Sequence, residues 1–167
     1  KKQVDYFFLV WILLSNIQIG FYSFTIFHGQ ILGFWAIFLF GIPLLSAPFL
    51  FLYIKKLTGN RVKTRTIIAH SAVFFGYVLF LFFLSSENPF TAKNAYLINS
   101  EPNSILNKFY AVPLAISAFY YCIVDLILLK NYRKRISNTF SFKEGISLEW
   151  VDYVVLSYFF LFVAASF

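Results

Sequence analysis

This sequence has one cysteine, no methionine, two histidines and seven acidic residues, and each shortage excludes something. Cys122 alone forms neither a disulfide within the chain nor a CxxC redox or metal motif, and inside an apolar run it reads as a small packing residue. The scattered acids and histidines have no HExxH-like spacing, so neither a protein-built metal site nor a cofactor is expected. GxSxG, Walker and Rossmann fingerprints are missing as well. Catalysis would rest on Asp125, His70 and borrowed groups, and the chain is not expected to be an enzyme. Charge is scarce too, at 13% of residues against 60% hydrophobic with 24 Phe; lipid rather than water solvates such a composition. Without Met, and with Phe167 closing an apolar run that has no polar cap, the sequence is expected to be a piece of a longer protein. Lys1 and Lys2 ahead of an apolar stretch superficially resemble a signal peptide. That stretch, however, exceeds a normal h-region and lacks a small-x-small cleavage site.

What the chain does have is apolar runs of spanning length. A bilayer core of about 30 Å takes roughly 20 apolar residues, and five runs fit it: residues 5–27, 31–54, 66–85, 109–129 and 148–167. The most informative stretch is Gly41 to Arg65, where a proline-interrupted apolar run stops at Lys55, Lys56, Arg61, Lys63 and Arg65 with no acid among them. Such a cluster marks a cytoplasmic helix end. A second cluster, Lys130, Arg133, Lys134 and Arg135, follows the fourth run, and of the 14 basic residues only Lys93 and Lys108 fall on the opposite side. In a soluble domain net +7 would raise the question of nucleic acid; here it records orientation and contact with anionic headgroups.

The expected fold is therefore all-α, a polytopic transmembrane bundle of five spanning helices forming one domain over residues 1–167. Its place is the cytoplasmic (inner) membrane, with 55–65 and 130–147 inside and 86–108 outside. His28-Gly29-Gln30 is short enough only for a tight reversal between the first two helices. Trp11 and Trp150 near inner ends and Trp35 near an outer end suit interface anchors.

Polar groups within the spans are few. Pro43 and Pro48 lack an N–H, so the carbonyls of Leu39 and Leu44 lose their usual partners; a kink is expected there, and the two prolines are the candidate hinge. Asp125 is the sharpest feature, because an ionisable residue inside a span is costly and normally faces the bundle interior. Ala111, Ala115, Ala118, Cys122 and Asp125 recur at helical spacing, giving one face of small residues that leads down to the carboxyl. Asp125 precedes Lys130 by five residues and His70 follows Arg65 by five. At about 1.5 Å per residue both lie roughly 7 Å inside the same boundary, and a contact between them is expected. Asn16, with Gly20 and Ser23 on its face, completes the candidate intramembrane polar cluster. Bland roles remain open for each: Asp125 reaching to the interface, His70 as a hydrogen-bonded core histidine, Asn16 bonding between helices.

The order of features resembles the N-terminal membrane region of AraC-type transcriptional regulators from Bacteroidetes. The resemblance is carried by Asp5-Tyr6-Phe7 opening a helix, IPLLSAPFLFLYIKKLT at 42–58, His70 early in the next helix, and LKNYRKRISNTFSFKEGISLEWVDYVV at 129–155. It departs at Ser46-Ala47, where that pattern would carry His-Gly. The resemblance implies a seven-helix sensor with one further helix on each side of this chain, followed by a cytoplasmic helix-turn-helix DNA-binding domain that this chain lacks. Three functions then compete: a signal-input membrane domain of a regulator, a small transporter or channel, and a scaffold subunit of a membrane complex. The expected partners are the lipid bilayer and either a second copy or other membrane subunits. DNA would be reached only through the absent domain, and no ring of charge or aromatic cage names a ligand.

Overall fold

A computed structural model of the chain describes residues 2–28, 33–87, 105–139 and 148–166. These form five α-helices, and no strand occurs among the described residues. In chain order they are α1 (Lys2–His28), α2 (Gly33–Leu57), α3 (Thr64–Glu87), α4 (Ile105–Thr139) and α5 (Glu149–Ser166). Most of the expected first reversal, residues 88–104 of the expected outer loop, residues 140–147 of the inner connector and the Trp35 side chain lie outside what is described.

α2 is the axis of the molecule. It packs against α1, α3 and α4, and α4 in turn packs against α5. A helix that is apolar all round belongs in an interior, and from Gly41 to Ile54 nearly every residue of α2 is buried. Leu44 meets Tyr77 and Leu81 of α3 with Leu114 and Ala118 of α4. About two to three turns further on, Leu50, Tyr53 and Ile54 meet Leu129 of α4 and Val151 and Val155 of α5. Gly41 is what lets α3 close in, because a Cβ there would stand 2.9 Å from the Phe74 ring and 3.0 Å from Val78 Cγ2.

The other four helices turn large apolar side chains outward: Tyr6, Leu9 and Leu13 on α1, Phe75, Leu79 and Phe83 on α3, Ile116 and Ile123 on α4, Phe160 and Leu161 on α5. Exposed apolar surface on this scale needs an apolar medium or a partner to cover it. By length and composition two stretches can cross a membrane, Thr64–Phe83 in α3 and Val112–Asn138 in α4, while α1 holds a shorter apolar stretch, Asp5–Phe21. Membrane passage is thus supported at two helices and not at the five expected.

The turn after α2 has a local cause. Asn60 N donates to the Lys55 carbonyl at 3.0 Å and Gly59 N to the Lys56 carbonyl at 3.1 Å, the paired bonds of a Schellman stop. That stop places Gly59 at a φ of 81°, where glycine alone carries no Cβ penalty. Lys55 and Lys56 therefore belong to the last turn of α2, and Arg65 to the first turn of α3.

One boundary departs from expectation. The fourth helix does not end at residue 129 but continues to Thr139, so Lys130, Arg133, Lys134 and Arg135 are helical and not part of a connector. Lys and Arg are good helix formers, and no glycine or proline follows Pro113 until Gly145. The extension is tied down as well: Ile136 is buried, Arg135 Nη2 donates to the Thr58 carbonyl at 3.1 Å, and Arg133 Nη2 contacts both Asp152 oxygens of α5 at 2.6 Å.

Candidate functional site

α4 divides its surface cleanly. Leu114, Ala118, Tyr121, Asp125 and Leu129, spaced four, three, four and four, are buried, whereas Val112, Ile116, Phe119, Ile123 and Ile127 are exposed. The stripe expected from small residues is thus centred on larger ones, with Ala115 and Cys122 half-buried at its edge. Asp125 is 1% exposed, and its Oδ1 has no hydrogen-bond partner among the described residues. It borders a small cavity between three helices, with Ala47 and Leu50 of α2, Tyr121 of α4, and Val155 and Tyr158 of α5 among the walls. The space open to the centre of a water molecule is about 10 Å³, the room one water needs. No basic residue lines it.

His70 is not the partner of Asp125. Its Nδ1 shares a hydrogen bond of 2.6 Å with Tyr121 Oη, and the Phe51 ring stands edge-on to the imidazole at 5.0 Å between centroids. Tyr121 lies one turn before Asp125 on the same buried stripe, and its longer side chain spans to α3 where the short aspartate does not. The expected cluster therefore exists as a His70–Tyr121 pair with Asp125 alone beneath it. Asn16 stands apart from both: it is exposed on α1, and its Nδ2 donates to the Ile12 carbonyl at 2.8 Å within its own helix. The exposed amide is thus satisfied within its own helix.

Pro43 and Pro48 are both fully buried, and α2 runs through them as one helix. Ser46, 0% exposed, does not serve the carbonyls of Leu39 or Leu44. Its hydroxyl donates to the Pro43 carbonyl at 3.0 Å and is also hydrogen-bonded to Tyr158 Oη. Sequence reasoning missed Tyr121 and Tyr158. The first was readable, since it lies four residues before Asp125 and so on its face; for the second nothing in the order of residues marks α5 as the wall opposite Ser46. Trp11 Nε1 is a further buried donor without a partner, its ring edge-on to Tyr158 with centroids 5.9 Å apart.

At the basic end, Thr58 is a buried hub. Its hydroxyl donates to the Ile54 carbonyl at 2.9 Å, accepts from Asn60 Nδ2 at 3.0 Å, and its carbonyl receives Arg135. Lys55 Nζ sits 5.3 Å from the centre of the Phe51 ring, a cation–π distance. Arg61, Lys63, Arg65, Lys130 and Lys134 are exposed, and the Arg135–Thr58 bond joins the two basic stretches, distant in sequence, at one end of the bundle. Among the described residues no group of three or more His, Cys, Asp or Glu is gathered closely enough to hold a metal ion. Chemically the site offers one lone carboxyl, hydroxyls and ring faces.

Compared with known protein families, with curated proteins and with solved structures, the chain matches none.

Proposed function

We propose that this chain is the membrane-embedded signal-input domain of a transcriptional regulator, with all five helices crossing the cytoplasmic membrane and their basic ends inside. The observation that carries the reading is the continuity of α4, one 35-residue helix from Ile105 to Thr139. It joins the buried Asp125 to a basic extension that is clamped to the ends of α2 and α5. A rigid element of this kind conveys a displacement at the carboxyl to the inner face, where a signalling module would be attached. The resemblance to the membrane region of AraC-type regulators supports the same role. Transport fits less well, because the cavity beside Asp125 has room for about one water and its walls are mainly apolar.

The hinge in this scheme is the stretch of α2 between Pro43 and Pro48. Each Pro→Ala change returns an N–H to the Leu39 or Leu44 carbonyl and favours a regular helix, which shifts the balance between helix arrangements. A change of about 1.4 kcal/mol alters a population ratio roughly tenfold. Pro43→Ala or Pro48→Ala in the full-length protein is therefore expected to change basal output of a transcriptional reporter severalfold while membrane abundance stays level. Output falling in parallel with abundance, with output per molecule unchanged, would reduce the prolines to shaping a static bundle.

A further inference from the structure

A buried carboxyl that lacks a hydrogen bond and a neighbouring cation is a binding group waiting for a donor. Taking an ionised carboxylate out of water costs several kcal/mol unless a counter-charge accompanies it. Among the described residues around Asp125 there is none: the titratable side chains that line the cavity with it are Tyr121 and Cys122 from α4 and Tyr158 from α5, and the α2 wall is Ala47 and Leu50. His70 on α3 is held by Tyr121. What the cavity does supply is the carboxyl oxygen, three aromatic side chains in Tyr121, Tyr158 and Phe159, and space for one water-sized body. Aromatic faces attract cations most strongly when desolvated. A hard metal cation wants about six oxygen ligands, which this apolar lining does not offer. A group with N–H donors is content with one carboxylate and ring faces.

We propose that the cavity beside Asp125 binds one ammonium-sized monocation bearing N–H donors, either ammonium itself or the head of a primary amine. Asp125 carries its charge, the rings of Tyr121, Tyr158 and Phe159 surround it, and Ala47 and Ala118 leave it room. Because the walls come from α2, α4 and α5 together, such a cation binds the packed bundle and not the separated helices, and so stabilises it by mass action. The proposal gives the signal-input reading a chemical class of ligand, and its test needs no transcriptional output, so either can fail without the other.

The experiment is thermal unfolding of the purified chain in detergent micelles at fixed pH and ionic strength, with sodium replaced by ammonium, methylammonium or tetramethylammonium. At about five times the dissociation constant, ammonium is expected to raise the midpoint by roughly 2–4 °C. An equal rise with methylammonium assigns the site to primary amines, and a rise with ammonium alone assigns it to the free ion. Tetramethylammonium, which has no N–H and exceeds the space, is expected to give none. Asp125→Asn should abolish the rise, and so should Ala118→Leu, which fills the cavity but keeps the carboxyl. No rise with any nitrogen cation, a rise with tetramethylammonium matching that with ammonium, or an undiminished rise in either variant would overturn the proposal.

Discussion

Asp125→Leu is expected to make the bundle more stable, by about 1–3 kcal/mol, in the absence of added ligand. A polar group buried without a hydrogen bond costs that much in proteins, and Asp125 Oδ1 is such a group. Leucine removes the cost, and its two methyls, bulkier than the oxygens they replace, take up part of the water-sized space beside them. The opposite sign belongs to the arrangement expected from matched depth alone. Had Asp125 been paired with His70, its loss would strand a buried partner and cost about 3–5 kcal/mol. With His70 bonded to Tyr121 instead, nothing is stranded. In a chain of this size about 1 kcal/mol moves the midpoint by roughly 2–4 °C, so unfolding followed by circular dichroism in micelles separates the two signs. A midpoint below wild type would mean that the carboxyl has a partner.

Gly41→Leu is expected to be the most damaging single change within α2, at or above the top of the 1–3 kcal/mol range for overpacking. Its first side-chain carbon already falls 2.9 Å from Phe74, which is itself 1% exposed and has nowhere to retreat. α2 and α3 must then separate, and in lipid, where close packing does much of the work of helix association, that separation is costly. Gly76 is the internal control, since a Cβ there meets nothing within 4 Å. Gly76→Ala is expected to be neutral or to gain up to about 1 kcal/mol from helix propensity. Folded protein recovered from membranes and its unfolding midpoint should fall for Gly41→Leu and hold for Gly76→Ala; equal responses would mean that the α2–α3 approach is not tight.

The helices themselves were legible because long apolar runs bounded by charge have one main physical reading; that α2 is the one the others pack around was not read from the sequence, where Gly41 to Arg65 stood out for its prolines and its basic end. The extension of α4 was not, because a basic cluster after an apolar run looks like a membrane boundary, and a boundary is easily taken for a helix end. The two are independent: charge sets where lipid stops, whereas the absence of glycine and proline from Leu114 to Glu144 lets the helix go on. Asp125 was legible as a buried group from its type and spacing. Its lack of a partner was not, since depth along two helices says nothing about what lies within reach around them: Tyr121 and Asp125 share one face of α4, but the long tyrosine spans to α3 while the short aspartate stops at the cavity between α2 and α5. Asn16 failed for the same reason. Its depth was mid-span, but its face of α1 looks outward.

The basic residues gathered at the ends of α2, α3 and α4 make orientation in the bilayer the claim on which the rest depends. With Cys122→Ala removing the native thiol, single cysteines at Asn60, Asn138 and Asn94 can be offered to a membrane-impermeant maleimide in intact cells. Asn60→Cys and Asn138→Cys are expected to stay unmodified until the membrane is permeabilised, and Asn94→Cys to react at once. Modification of Asn60→Cys in intact cells would contradict a cytoplasmic basic end.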